Sequence, residues 1–281
     1  MRIALAQLAP VLGDIEANVA QGVAAVSAAA GDGTDLVLFP ELFLTGAHVG
    51  RVESDLALTL DDEPLRELSA AGGDTTSVGV GFVRHGRRAN YYNSYAYLER
   101  GQVVHCQQKA YLVNYDIFEE GKVFSQGSSI RAYGTRFGRM ATLVCNDAWQ
   151  PPYVFLAVQD GAQVLIIPAN SGESSFDAIA DTRAYWRQIT SFYAALFQCY
   201  VVFVNRVGSE QGLRYWGSSH VLDPWGRVVA EAPMYEETVL TVDIDLGLVR
   251  RRRREVPFLK EARIGLLTRE FNRLNATIDD D

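Results

Sequence analysis

Short apolar runs recur along the chain, and most lack a polar residue at every second position. Such runs are typical of strands covered on both faces of a sheet. Two stretches between them, 18–30 and 177–197, have helical spacing, and the second carries Trp186, Ile189, Tyr193 and Leu196 on one predicted stripe. The predicted strands are 3–7, 35–39, 77–83, 95–98, 103–106, 139–145, 164–168, 200–205, 218–223, 228–230 and 239–244.

Several predicted strands follow one another through short turns. Glu99-Arg-Gly101 is typical of a hairpin, and Pro224-Trp-Gly226 is typical of a turn. The predicted sheets are therefore mixed, since helices connect some strands and tight turns connect others. We expect an α/β fold, a four-layer α/β/β/α sandwich of two mixed sheets flanked by helices, in a single domain spanning residues 1–281.

Composition excludes several classes of protein. With 48% hydrophobic residues among 281, the chain is not expected to be disordered. A net charge of −8 argues against a nucleic-acid-binding surface. The chain has three cysteines, an odd number, and none of them forms a C-x-x-C pair. This pattern is typical of a protein from a reducing compartment rather than of a disulfide framework. We interpret the first ten residues as a buried strand rather than a signal peptide. No apolar run in the sequence is long enough to cross a membrane. We therefore predict a cytoplasmic protein.

One block of charge stands apart, the arginine run Arg250–Arg254. A nucleic-acid or membrane patch is one interpretation. The acidic total favours a solvated segment or a subunit contact instead.

Candidate chemistry lies in polar residues at the ends of predicted strands. Glu41 follows 35–39, Lys109 follows 103–106 and precedes Glu120 by eleven residues, and Cys145 ends 139–145. Ligand sites in open α/β sheets gather at the carboxyl ends of strands. Each residue alone has an ordinary structural explanation, as a core cysteine or a surface charge. Together they could supply a nucleophile, a base and a cation. A different motif, Gly79-Val-Gly81, lacks the third glycine of a dinucleotide-binding loop, and we assign it to strand packing.

At these residues the chain resembles the nitrilase superfamily of carbon–nitrogen hydrolases. The matching segments occur in the family's order and cover most of the chain. They are Ala6-Gln7, Phe39-Pro-Glu41, Gly46, Asn93-Ser94, Lys109, Glu120, Phe124, Gly127, Leu143-Val-Cys145-Asn-Asp147, Gly161-Ala162, Asn205-Arg-Val-Gly208, Gly217-Ser-Ser219 and Asp223-Pro-Trp-Gly226.

The resemblance implies a role for each catalytic candidate. Cys145 would be the nucleophile, and Glu41 the base that takes the thiol proton and passes it to the leaving amine. Lys109 and the backbone N–H of Asn146 would stabilise the oxyanion. Glu120 would orient Lys109 and assist the hydrolytic water, with Glu119 as its rival. The resemblance implies neither a metal nor an organic cofactor.

Two local runs, around Asn114-Tyr115 and Cys145-Asn-Asp147-Ala-Trp149, look most like the glutaminase domain of glutamine-dependent NAD synthetases. This chain has Asn146 where that branch has glutamate, and its length leads us to expect a stand-alone hydrolase domain. The candidates for lining the substrate pocket are Tyr115, Phe118, Asn146, Trp149, Asn170, Ser171 and Glu173.

The leading hypothesis is an amidase that cleaves a small carboxamide through a Cys145 thioester. Nitrile hydrolysis, carbamoyl-amide cleavage and acyl transfer would use the same residues. Other hypotheses are a glutaminase subunit with a synthetase partner and a non-catalytic binding protein. The resemblance also implies a homodimer or higher oligomer, with a C-terminal tail from about residue 246, especially 250–258, as a contact.

Overall fold

The computed structural model describes residues 1–48, 56–115, 118–173 and 181–278. Its helices are α1 Ile15–Gly31, α2 Glu63–Gly72, α3 Pro151–Gln159, α4 Thr182–Phe197, α5 Leu246–Glu255 and α6 Ile264–Ile278. Its strands are β1 Arg2–Gln7, β2 Leu36–Leu38, β3 Ser77–His85, β4 Tyr91–Glu99, β5 Gln102–Gln108, β6 Tyr133–Thr135, β7 Gly138–Thr142, β8 Val164–Ala169, β9 Gly172–Glu173, β10 Tyr200–Asn205, β11 Val207–Glu210, β12 Leu213–Trp216, β13 His220–Leu222, β14 Val228–Glu231 and β15 Thr238–Asp243.

Two six-stranded sheets form the centre of the fold. The first has the order β15-β1-β2-β3-β4-β5 and the second the order β14-β13-β10-β8-β7-β6. Each is mixed, with three parallel strands in the middle and antiparallel strands on both sides. A small third sheet, β11-β12-β9, lies beside them. The predicted mixed sheets are therefore confirmed.

Three apolar clusters lie between the layers of the fold. One lies between the two sheets and joins residues such as Leu5 and Leu38 to Val164 and Val202. A second covers the outer face of the first sheet with α1 and α2, and a third covers the outer face of the second sheet with α3 and α4. These clusters bury both faces of each sheet, which explains the continuous apolar runs and confirms the four-layer α/β/β/α sandwich.

The observed first residues of two helices differ from the predicted ones. Helix α1 begins at Ile15 because Asp14 accepts a 3.0 Å hydrogen bond from the backbone N–H of Ala17. The predicted helix 177–197 begins at Thr182, and its positions 177–180 lie outside the described residues. Leu196 is exposed, which corrects the predicted stripe, because the buried positions follow the spacing of Trp186, Thr190, Tyr193, Ala194 and Phe197.

The two tight turns are confirmed. Between β4 and β5, Arg100 and Gly101 both have positive φ, as the hairpin requires. The N–H of Gly226 donates to the carbonyl of Asp223 at 2.8 Å.

The segment from residue 246 forms helices in the structure. Helix α5 buries Val249, and Arg253 donates a 2.6 Å hydrogen bond to the carbonyl of Ala162. This arginine therefore contacts the chain's own fold rather than solvent alone. In the part of the chain that the structure describes, no helix is both long and apolar enough to cross a membrane.

Candidate active site

A buried lysine between two carboxylates lies at the centre of the candidate site. The Nζ atom of Lys109 is 2.8 Å from Oε1 of Glu41 and 2.8 Å from Oε1 of Glu120. The Lys109 side chain is 1% exposed. Burial alone would lower the pKa of Lys109, but the charges of Glu120 and Glu41 outweigh it and hold the pKa well above its usual value. The lysine therefore remains an ammonium group.

The sheets place these residues at their carboxyl ends. Glu41 follows β2, and Lys109 follows β5 directly. The predicted strand 139–145 is shorter in the structure: β7 ends at Thr142, and Cys145 begins a 3-10 helix that runs to Trp149. The reason is that the N–H of Val144 donates to Oδ2 of Asp147 at 3.1 Å.

Cys145 has φ of 48°, in the left-handed region that costs a non-glycine residue energy. Such strain is typical of functional positions. Cys145 is partly buried on the cavity wall. Desolvation of its thiol together with the charge of Glu41 raises its pKa well above the usual value, with the charge of Lys109 acting in the opposite direction. The thiol is thus protonated at neutral pH and needs a base before it can react.

Two further groups hold the Glu41 carboxylate. Nδ2 of Asn93 donates to Oε1 at 2.8 Å, and the backbone N–H of Asn170 donates to Oε2 at 2.8 Å. Asn93 is 1% exposed. The Asn93-Ser94 pair is one of the segments that resemble the family, but the resemblance gives it no role here. The available signal was a polar Asn-Ser pair within a tyrosine-rich run ahead of the predicted strand 95–98, since a buried amide needs a partner.

Glu120, and not Glu119, approaches Lys109. The Oε2 atom of Glu120 also accepts a 2.7 Å hydrogen bond from the backbone N–H of Val113. Burial raises the pKa of Glu120, although the nearby ammonium of Lys109 opposes this effect. Glu119 is exposed and forms a 2.5 Å ion pair with Lys122.

The other two cysteines lie away from this cluster. Cys106 belongs to β5, and Cys199 immediately precedes β10. Burial raises the pKa of Cys106 to about 11 and that of Cys199 to about 12. Both thiols are therefore poor nucleophiles at neutral pH.

A cavity of about 660 Å³ opens above the cluster. Six of the seven predicted pocket residues line it: Tyr115, Phe118, Asn146, Trp149, Asn170 and Ser171.

Glu173 is not among the lining residues, in contrast to the prediction. It is exposed, and its carboxylate accepts a 2.5 Å hydrogen bond from the hydroxyl of Tyr235. Its neighbour Gly172 does line the cavity. Because successive residues of a strand point to opposite faces, β9 cannot direct both residues into the cavity.

Several residues of the cavity wall were not among the candidates from sequence, and they include His48, Trp186, Gln211 and Tyr215. The sequence pattern places Trp186 only on the predicted stripe of α4. Its Nε1–H donates to Oγ of Ser171 at 3.0 Å. Asn205 fixes the same segment, because its side chain accepts from the N–H of Ser171 and donates to the carbonyl of Ser171, both at 2.9 Å. Among the described residues, no group of three or more His, Cys, Asp or Glu is arranged to hold a metal ion.

Comparison with known proteins gives one family match and similar relatives. The model of the family described as "Carbon-nitrogen hydrolase" matches residues 2–254. A glutamine-dependent NAD(+) synthetase from Rhodobacter capsulatus is 32% identical over 249 residues, 88% of this chain and 44% of that protein. An (R)-stereoselective amidase from a Pseudomonas species is 32% identical over 270 residues, 95% of this chain and 93% of that protein.

The chain thus spans less than half the length of the NAD synthetases that it matches. Among solved structures, a carbon–nitrogen hydrolase from Helicobacter pylori G27 has a TM-score of 0.86 at 24% identity. The match covers 94% of this chain and 96% of that one. This likeness concerns the fold.

Proposed function

The chain belongs to the carbon–nitrogen hydrolase family, and we propose that it hydrolyses the C–N bond of a small carboxamide through a thioester on Cys145. One observation carries the proposal: the cluster of buried Glu41 and Lys109 with partly buried Glu120 lies next to Cys145 on the wall of a cavity large enough for a small molecule. A buried charge cluster beside a nucleophile is typical of a catalytic site.

The first half of the reaction forms the thioester. Glu41 takes the thiol proton as the sulfur of Cys145 attacks the amide carbon, so a C–S bond forms and the carbonyl oxygen becomes an oxyanion. Two hydrogens of the Lys109 ammonium point to carboxylates, which leaves the third for the oxyanion. The backbone N–H of Asn146, in the first turn of the 3-10 helix, is the second donor.

The intermediate then collapses. Its C–N bond breaks, and Glu41 returns the proton to the departing nitrogen, which leaves as ammonia or an amine. A water molecule gives a proton to Glu41 and attacks the thioester. The C–S bond breaks, the acid departs and Glu41 returns its proton to the sulfur of Cys145.

Glu120 has a positioning role in this proposal. It holds the Lys109 ammonium at 2.8 Å, while the N–H of Val113 fixes its other oxygen. Glu41 accepts a second hydrogen bond from the same ammonium group at 2.8 Å, so two carboxylates restrain the lysine.

A second candidate is hydrolysis of the amide of glutamine, favoured by the 32% identity with an NAD synthetase over 88% of this chain. Asn146, which lines the cavity, departs from the glutamate of that branch. Ammonia release from glutamine, with and without an added synthetase, tests this candidate, and product analysis separates amide, nitrile and carbamoyl substrates.

The main test combines an ammonia-release screen of amides with intact-mass detection of an acyl adduct. We expect one adduct per chain, mapped to Cys145 and removed by hydroxylamine. Cys145→Ala should lose both adduct and turnover, whereas Cys106→Ala, in the same chain but outside the cavity, should retain them. Undiminished turnover by Cys145→Ala would contradict the mechanism, and absence of both adduct and turnover with every amide would favour a binding protein.

A further inference from the structure

The buried carboxylate of Glu210 connects the segment after Glu41 to the small sheet. It accepts hydrogen bonds from the backbone N–H of Ala47 at 2.9 Å and from that of His48 at 2.5 Å. Nδ1 of His48 lies 3.0 Å from the same carboxylate. Arg206 balances its charge with an ion pair of 2.6 Å. The position of His48 is therefore fixed by both its backbone and its ring.

The contact with Glu210 also requires a hydrogen on Nδ1 of the ring. A carboxylate only accepts hydrogen bonds, so Nδ1 of His48 is the donor. In the neutral ring, Nε2 then has a free lone pair. Among the described residues, the hydrogen bonds of the His48 ring all involve Nδ1 rather than Nε2. The His48 ring lines the cavity, stacked 6.3 Å from Phe118, with the Tyr215 hydroxyl 3.4 Å from Nδ1.

The charges around the cavity favour a positive group over a negative one. Among the described residues that line it, three glutamates, Glu41, Glu119 and Glu120, accompany two lysines, Lys109 and Lys122. Both lysines already form ion pairs with these glutamates. The described cavity wall therefore offers an acceptor at His48 and no unpaired cation for a carboxylate.

We propose that Nε2 of His48 is a specificity-determining acceptor for a primary amine or ammonium group at the end of the substrate remote from the scissile amide. The proposal rests on the proposed function, since it names the class of amide that the site takes: an amino amide rather than an acid amide. Glu210 is the positioning residue that holds the ring in its accepting tautomer.

Binding in the Cys145→Ala background tests this proposal without turnover. The probes are ω-amino alkanamides of three to six carbons, each paired with the alkyl amide in which a methyl group replaces the amino group. Calorimetry gives the affinity ratio of each pair. His48→Asn keeps an N–H near the position of Nδ1 but lacks Nε2, whereas His48→Gln restores a polar group near the position of Nε2.

We expect the amino amide to bind at least tenfold more tightly at one chain length, and this ratio to fall about tenfold in His48→Asn. His48→Gln should recover part of it. His85→Asn, the same change at an exposed histidine at the end of β3, should leave the ratio unchanged. An equal ratio in His48→Asn and its parent, no preference at any length, or no saturable binding of any amino amide would overturn the proposal.

Failure of the proposed function gives a different result. In that case the chain with Cys145 intact would release no ammonia and form no adduct, while the dependence of the binding ratio on His48 would persist.

Discussion

Oε2 of Glu41 accepts a 2.8 Å hydrogen bond from the backbone N–H of Asn170. Glu41 follows β2 of the first large sheet, and Asn170 follows β8 of the second. The proposed catalytic base is therefore held by the backbone of the opposite sheet. Small changes in the packing of the two sheets should therefore reduce kcat/KM more strongly than they reduce the free energy of unfolding.

Glu41→Gln tests the base directly. Glutamine has nearly the same shape, but it cannot take a proton and must direct its NH2 group towards one of the donors Lys109, Asn93 or Asn170. We expect kcat/KM to fall by roughly 10²- to 10⁴-fold with the fold retained, as judged by circular dichroism. Glu67→Gln, at an exposed position of α2, is the matched control. Activity within tenfold of the parent would argue against Glu41 as the base.

Gly81→Ala tests the support beneath Glu41. A Cβ atom at Gly81 would clash with the backbone nitrogen of Leu42 and lie 2.8 Å from the carbonyl carbon of Glu41. The Glu41 segment must therefore move. Because a displacement of about 1 Å can cost about 10²-fold in rate, we expect that loss in kcat/KM, with about 1–3 kcal/mol of destabilisation.

Gly134→Ala is the matched control for this change. It also lies in a strand, but its Cβ would meet no heavy atom within 4 Å. Unfolding by urea and steady-state kinetics provide the two measurements. Equal effects of the two alanine variants would show that Gly81 does not support the site.

Asp147→Asn tests the connection between the Lys109 and Cys145 segments. Oδ1 of Asp147 accepts from the N–H groups of Ala110 and Tyr111, both at 2.9 Å, and Oδ2 accepts from that of Val144. An asparagine at this position places its side-chain NH2 group against one of these backbone N–H groups. We expect about 1–3 kcal/mol of destabilisation in urea and a loss of activity.

Asp61→Asn, in an exposed turn before α2, is the control for Asp147→Asn and should change neither property. A fully active and stable Asp147→Asn protein would rule out this connecting role.

Glu210 should make stability depend on pH below neutrality. Burial would raise its pKa, but the hydrogen bonds from His48 and the charge of Arg206 outweigh burial and lower the pKa to about 2 from 4.5. A depressed folded-state pKa gives stability that is present above about pH 4.5 and is lost as pH falls towards 2. The full contribution is about 3 kcal/mol.

Urea unfolding at pH 5, 4 and 3 measures this dependence. Glu210→Gln cannot titrate, so its unfolding free energy should fall less steeply over that interval than that of the parent. Glu67→Gln should keep the parent's slope. Parallel curves for the parent and Glu210→Gln would contradict the shifted pKa of Glu210.

The layers of the fold were predictable because burial on both faces leaves a local pattern. The apolar run 164–168 and strand β8 coincide almost completely, and the hairpin at Gly101 follows from residues that adopt positive φ. The bounds of the Cys145 element were not predictable from local sequence. They depend on the Asp147 side chain, which turns the chain through hydrogen bonds with groups on two segments.

The sequence by itself determined the layers, the family and the residue types at the strand ends, because each leaves a local signature in apolar runs or short motifs. The tertiary structure decided which of two adjacent glutamates meets Lys109, that Glu173 lies outside the cavity, and that Asn93 supports Glu41. It also brought His48 to Glu210, 162 residues away. Such contacts join groups distant in the chain, and only the packing of the sheets fixes their distances and orientation.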